Sequence, residues 1–236
     1  MKASLVPPVP QANRLLARLP PQEYQRLAPH LSLVTMRLHE VLYDFQSLIE
    51  YIYFPLQSIL SALTVMRDGR SIEIANIGRE GAAGLAVLTG AARSPNRMIV
   101  QFADGALRIR AEVLRKIVDR DGPLRTSLLE HQAHYFVQVS QAVACNGLHS
   151  IEKRCCRWLL MTHDRLDTDV LPLTHEFLAM MLGVRRAGIT EVLRTLQEKK
   201  LIKCSRGKIT IRDRSGLEKQ ACECYQIIKQ EYYPLL

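Results

Sequence analysis

The residues best suited to chemistry lie between Leu173 and Leu196, LTHEFLAMMLGVRRAGITEVLRTL, and the chemistry they suit is recognition of a polyanion. Arg185, Arg186 and Arg194 carry guanidinium forks that fit phosphate oxygens or the edge of a guanine, Thr190 adds a hydroxyl and Glu191 an acceptor. Helical spacing over 185–199 puts these side chains and Gly188 on one face, and Val184, Ile189, Val192, Leu193 and Leu196 on the other. Upstream, Thr174 is a good N-cap for a short helix, Ala179 is small enough for close helix packing, and Gly183 supplies a sharp turn. Two helices joined in this way, the second with its first turn outward, make a helix-turn-helix with a recognition helix. Leu201–Cys204 and Ile209–Arg212 then flank the turn Ser205-Arg206-Gly207-Lys208 and read as a wing, with Arg206 and Lys208 at its tip for a phosphate or a minor groove. Thr174, His175 and Lys199 stand where contacts to a nucleic-acid backbone are expected.

Charge supports the same partner. Residues 185–214 hold ten Lys/Arg against Glu191, Glu198 and Asp213, a local +7 within a chain of net +9. The remaining residues are almost balanced, so the basicity belongs to one surface. Double-stranded DNA is the expected partner; the competing reading is a ligand sensor whose helix-turn-helix makes protein contacts. An enzyme is not expected, because the chain has no Gly-Lys-Ser/Thr phosphate loop, no Gly-Xaa-Ser-Xaa-Gly elbow and no His-Glu-Xaa-Xaa-His.

These residues need elements to hold them. The chain has 236 residues, 47% of them hydrophobic, which suffices for a core and one or two domains. Its apolar runs are far shorter than the ~20 residues that cross a bilayer, and Met1–Pro10 lacks the apolar centre of an export signal. A cytoplasmic protein without membrane contact is expected. Six cysteines, Cys145, Cys155, Cys156, Cys204, Cys222 and Cys224, show no disulfide spacing and read as reduced thiols. Cys222-Xaa-Cys224, Cys155-Cys156 and the pair His131/His134 lack further ligands in pattern, so no metal site is expected.

After a leader over 1–12, short helices are expected at Asn13–Leu19 and Pro21–Leu31. Strands follow at Leu33–Leu38, Val41–Phe45, Tyr51–Phe54, Ile59–Met66, Ser71–Ile77, Met98–Phe102 and Ala106–Ile109, an antiparallel β-roll over 13–122. Asp68-Gly69 and Asp104-Gly105 carry the hairpin signal, predicting antiparallel pairs across both. Between the strands, Gly78, Gly81 and Gly84 form a glycine-dense turn, which suits either a tight corner or a bound phosphate. After a short helix at Ala111–Arg120, Pro123 starts a long one that Asn146-Gly147 interrupts. Along it Leu124, Leu128, His131, Tyr135, Gln138 and Ala142 fall on two adjoining heptad stripes, the expected dimer face of a helix over 123–147. A helix at Ser150–Arg165 leads into a DNA-binding domain over 148–236.

The order β-roll, long helix, winged helix-turn-helix, with Gly183-Val184-Arg185-Arg186 at the turn, resembles the Crp/Fnr family of bacterial transcription regulators from about Asn13 to Leu217. The resemblance implies an α+β fold and a homodimer that reads a palindromic operator, with RNA polymerase a further candidate partner. It also implies that Arg186 reads a guanine and that His175 and Arg185 meet the backbone. Ala187 and Glu191 replace residues common in the family, so a different operator is implied. No cysteine precedes Cys145, which sets the chain outside the iron–sulfur branch. The family's cyclic-nucleotide binders pair a Gly-Glu with an Arg-Ser/Thr; here Gly84 is followed by Leu85, and Arg93-Ser94 by Pro95. An effector pocket would comprise Gly78, Gly81, Gly84, Leu85, Arg93 and Ser94, but the lost carboxylate disfavours a cyclic nucleotide, and no cofactor is expected.

Overall fold

Alternating Val, Ile, Leu and Tyr between residues 32 and 110 build strands, and the change to a 3.6-residue period after Arg110 builds helices. The structure, a computed structural model, describes residues 12–118 and 122–232. Apart from Ala12 the leader lies outside the described residues, as does the end of the helix expected to reach Arg120. Two short helices come first, α1 (Arg14–Ala17) and α2 (Pro21–Leu27), with one 3-10 turn after α2. Asn13 caps α1, its Oδ1 accepting from the Leu16 amide at 3.1 Å, while its Nδ2 donates to the Pro55 and Gly81 carbonyls.

The strands are β1 (Ser32–Thr35), β2 (Val41–Tyr43), β3 (Tyr51–Pro55), β4 (Ile59–Val65), β5 (Ser71–Ile77), β6 (Arg97–Phe102) and β7 (Gly105–Arg110). They form two sheets, ordered β1-β7-β3 and β2-β6-β4-β5. β7 is antiparallel to both neighbours, with Leu33 opposite Leu107 and Ile52 opposite Ile109. Ile52, Phe54, Val100, Leu107 and Ile109 are fully or almost fully buried. This is the expected antiparallel β-roll.

One turn departs from expectation. Asp68-Gly69 does close a tight turn between β4 and β5, Gly69 having a φ of +84° and Met66 N–H donating to the Arg70 carbonyl. Asp104-Gly105 does not close a hairpin, because β6 and β7 belong to different sheets. Asp104 instead takes the Gly105 amide on its carboxylate and the Met36 amide on its carbonyl, fixing a corner where the chain changes sheet.

α3 (Ala111–Val118) covers one end of the first sheet. The long helix α4 (Pro123–Leu148) continues through Asn146 and Gly147 rather than stopping there. Its expected dimer face requires correction: Leu124, Leu128, His131, Gln138 and Ala142 are all buried within the chain, and Tyr135 is half-buried. The polar members are there to satisfy backbone. His131 Nε2 accepts the Ala82 amide at 3.3 Å, and Gln138 bonds both the N–H and the C=O of Asn76. The exposed apolar stripe is a different heptad set, Leu129, Phe136 and Val143, with the small residues Ala133, Ser140 and Gly147 alongside.

α5 (Ile151–His163) is capped by Ser150 and carries the buried Trp158. The rest comprises β8 (Val170–Leu171), α6 (His175–Leu182), α7 (Arg186–Glu198), β9 (Ile202–Ser205), β10 (Lys208–Ile211), α8 (Arg214–Gln220) and α9 (Glu223–Tyr232). By their contacts, residues 61–76 group with 134–232 as one unit, and 12–60 with 77–133 as another. Among the described residues no helix is long and apolar enough to cross a membrane.

Candidate nucleic-acid interface

Local chemistry sets the turn between α6 and α7. Thr174 Oγ1 accepts the Phe177 amide at 3.1 Å, starting α6, and Gly183 ends it in the left-handed region at φ +63°. A side chain at Gly183 would be strained by that backbone angle alone. Arg154, buried on α5, donates to the Leu182 carbonyl and so ties the end of α6 to the domain. α7 buries Ile189, Leu193 and Leu196, which fixes its rotation about its own axis.

That rotation turns Arg186, Ala187, Thr190, Glu191 and Arg194 outward together, where they line one open surface depression. Arg185, also exposed, is the N-cap and makes no side-chain capping bond, so the guanidinium stands at the positive end of the helix. Arg186 is held only loosely: its Nη1 lies 3.8 Å from Glu176 Oε2, and both side chains are largely in water. His175 Nδ1 meets Thr190 Oγ1 at 3.1 Å, and that hydroxyl donates in turn to the Arg186 carbonyl, linking the start of α6 to the first turns of α7. Arg194 lies 3.7 Å from Glu198 along the helix. Gly188 is half-buried, and a Cβ there would sit 3.7 Å from Ile151 Cδ1, an ordinary contact.

β8, β10 and β9 form the wing sheet in that order, with Lys208 paired to Ser205 across the turn. Gly207 takes a φ of +70° there, and Arg206 and Lys208 are exposed at the tip. Lys199 departs from expectation. Its Nζ, on an exposed side chain, binds Glu152 at 2.6 Å and Gln220 at 3.1 Å, so it joins the end of α7 to α5 and α8.

The residues expected to form an effector pocket are engaged in turn geometry. Gly78 donates its amide to Glu80, Gly81 donates to the Gly78 carbonyl, and Ala83 exchanges two backbone bonds with Tyr53. Gly84 is left-handed at φ +93° beneath the Tyr43 hydroxyl, which lies 2.7 Å from where a Cβ would be. Leu85 is buried. Arg93 donates to the Gln46 carbonyl at 2.6 Å, and Ser94 binds the Asn96 and Ser47 carbonyls.

Residues 153–220 match the family model of the Crp-like helix-turn-helix domain. The chain has the Crp/Fnr fold, with a Crp-like helix-turn-helix domain. Among solved structures it is similar to a protein assigned as a Crp/Fnr-family transcriptional regulator from Eubacterium rectale, at a TM-score of 0.66 and 23% identity over 89% of this chain and 98% of that one. FixK2 from Bradyrhizobium japonicum superposes at 0.71 with 16% identity, over 81% of this chain and 98% of that one. The c-di-GMP responsive regulator CLP of Xanthomonas campestris superposes at 0.65 with 14% identity, over 80% and 98%. No curated protein sequence matches the chain. In this domain Arg185, Arg186, Arg194, Arg206 and Lys208, on the outer face of α7 and at the wing tip, are exposed.

Proposed function

We propose that this protein is a homodimeric, sequence-specific transcription regulator that reads a palindromic DNA operator with α7 of each copy. The observation that carries this is the outer face of α7. Arg185 and Arg186 stand exposed at the positive end of a helix whose other face buries Ile189, Leu193 and Leu196, within a thirty-residue stretch of net +7. Arg186 is the expected base reader, bidentate to a guanine, and Arg185, His175, Arg206 and Lys208 are expected on phosphates. The exposed Leu129–Phe136–Val143 stripe is the dimer seam, bringing two recognition helices to half-sites about one helical turn apart.

The β-roll, on this reading, works without a cyclic nucleotide at its glycine turn. What supports this is Leu85, apolar and buried in the place of a ribose-binding carboxylate, and Arg93, whose guanidinium is bound to the Gln46 carbonyl.

Selection of bound duplexes from a random pool, followed by titration in rising salt, tests the proposal. Affinity for the selected palindrome should fall steeply with salt. Arg186→Ala should weaken it by roughly 5- to 150-fold, corresponding to ~1–3 kcal/mol, and relax selectivity at one base pair in each half-site. A folded Arg186→Ala variant with unchanged affinity and selectivity would remove Arg186 as the reader. Absence of any salt-sensitive duplex binding would favour a helix-turn-helix that makes protein contacts.

A further inference from the structure

The end of α4 and the turn between α8 and α9 bring together four side chains that the proposed DNA reading does not use. Cys145 and His149 are one helical turn apart, while Cys222 and Cys224 flank the first residue of α9. Their ligand atoms, three Sγ and one imidazole nitrogen, all lie within 4.8 Å of one another. Cys145 Sγ is 3.5 Å from Cys222 Sγ, and Cys224 Sγ is 3.7 Å from His149 Nδ1. With Zn–S bonds of ~2.3 Å at a tetrahedral angle, two ligating sulfurs stand about 3.8 Å apart, so these separations need only small adjustments around a single ion.

We propose that Cys145, His149, Cys222 and Cys224 form a tetrahedral Cys3His zinc site that clamps the end of the long helix to the start of the last one. Three further observations fit. The three cysteines are buried, as a closed structural site requires. The other ring nitrogen of His149, Nε2, lies 3.3 Å from Glu223 Oε1. A carboxylate on the far nitrogen of a ligating histidine fixes the tautomer and aims the free lone pair, here Nδ1, at the sulfurs. Finally, three thiolates around one zinc ion leave a charge of about −1. The buried Arg157 guanidinium stands beside Cys145 and offsets it.

The donor set selects the metal. Soft thiolates with one imidazole suit zinc, whereas calcium and magnesium take oxygen ligands. The ion would hold at one point two segments more than seventy residues apart in sequence, and would give α9 an anchor that its own short length does not provide. Sequence spacing hides the set, because neither pair alone has four ligands; the fold supplies the other half to each.

Metal analysis of the full-length protein, purified anaerobically without added metal, tests the site. The expected result is about one zinc per chain. Exchange into cobalt(II) should give the sulfur-to-metal charge-transfer absorption and strong visible bands of tetrahedral cobalt thiolate. Cys224→Ser and His149→Ala should lose the ion or bind it more weakly, and Cys204→Ser, outside the cluster, should retain it. Because loss of a ligand can unfold the protein, the wild type is also melted with and without a zinc chelator, and chelation should lower the melting temperature. Protein that carries no stoichiometric metal and melts identically with and without zinc overturns the proposal. So does a Cys145–Cys222 disulfide found by mass spectrometry in the anaerobic preparation, which would make the pair a redox couple.

Discussion

Phe136 offers a decisive perturbation of the proposed dimer seam. It lies in the middle of α4 with 71% of its surface in water, between Leu129 at 41% and Val143 at 68%. A phenylalanine offers ~200 Å², so roughly 140 Å² would be withdrawn from water if a second copy covered it. At ~25 cal/mol per Å², that burial contributes about 3.5 kcal/mol in each copy before association costs are subtracted. Phe136→Asp forfeits this contribution twice and sets two like charges near the two-fold axis. The dimer dissociation constant should rise at least ~1,000-fold, a change of about 4 kcal/mol. Sedimentation velocity over a dilution series reads the shift, and circular dichroism verifies that the variant monomer is folded. The control is Gln138→Ala on the adjoining stripe. It severs two bonds to the Asn76 backbone and should lower the melting temperature while leaving self-association unchanged. A Phe136→Asp protein as tightly dimeric as the wild type, or a Gln138→Ala monomer of undiminished stability, would refute the assignment of the two stripes.

Two further outcomes are expected. Gly81→Ala should destabilise the β-roll unit by ~2–3 kcal/mol, because its Cβ would fall 2.0 Å from His131 Cε1 and displace the ring that accepts the Ala82 amide; a thermal melt matching wild type would contradict this. Burial raises the Glu73 carboxyl to about 7, against the pull of the Ser61 hydroxyl, the Arg157 charge, Trp158 and Arg165. Its folded value exceeds its unfolded one, so the folded state keeps a proton that the unfolded chain has released. Stability should therefore fall, by up to roughly 3 kcal/mol, as pH rises from the ordinary carboxylate range to about 7. Glu73→Gln should flatten that slope between the ordinary carboxylate range and about pH 7. Melting curves whose pH dependence is the same for both proteins would rule out Glu73 as its source.

What could be read from the sequence was whatever short-range stereochemistry decides. Thr174 as a cap, Gly183 as a left-handed turn and the 3.6-residue period of Ile189, Leu193 and Leu196 each state their conformation within a few residues, and together they oriented Arg186 outward. What could not be read depended on partners distant in the chain. α4 carries two heptad sets, Leu128/Tyr135/Ala142 and Leu129/Phe136/Val143, equally spaced and similarly apolar, and only the strand-end backbone at Asn76 and Ala82 decides which faces inward. Asp104-Gly105 has hairpin composition, yet the twist and curvature of a roll send its flanking strands to separate sheets. Lys199 looked free until the fold set Glu152 and Gln220 beside it. The Cys3His cluster spans Cys145 to Cys224, beyond any local spacing rule.

Residues 61–76, most of the β4–β5 hairpin, group with the helix-turn-helix rather than with the strands around them in sequence. Ile72 lies against Gly183, the residue on which the turn depends, and buried Glu73 faces Arg157 and Arg165. The reader is therefore not a severable module. A fragment beginning at residue 148 would keep the motif intact by every local criterion and yet lack the Ile72 side chain that packs against Gly183 at its turn. Exchange of such a domain between proteins would have to carry a β-hairpin from the other half of the chain with it, so the boundary that matters for inheritance and for engineering is a surface in space, not a position in the sequence.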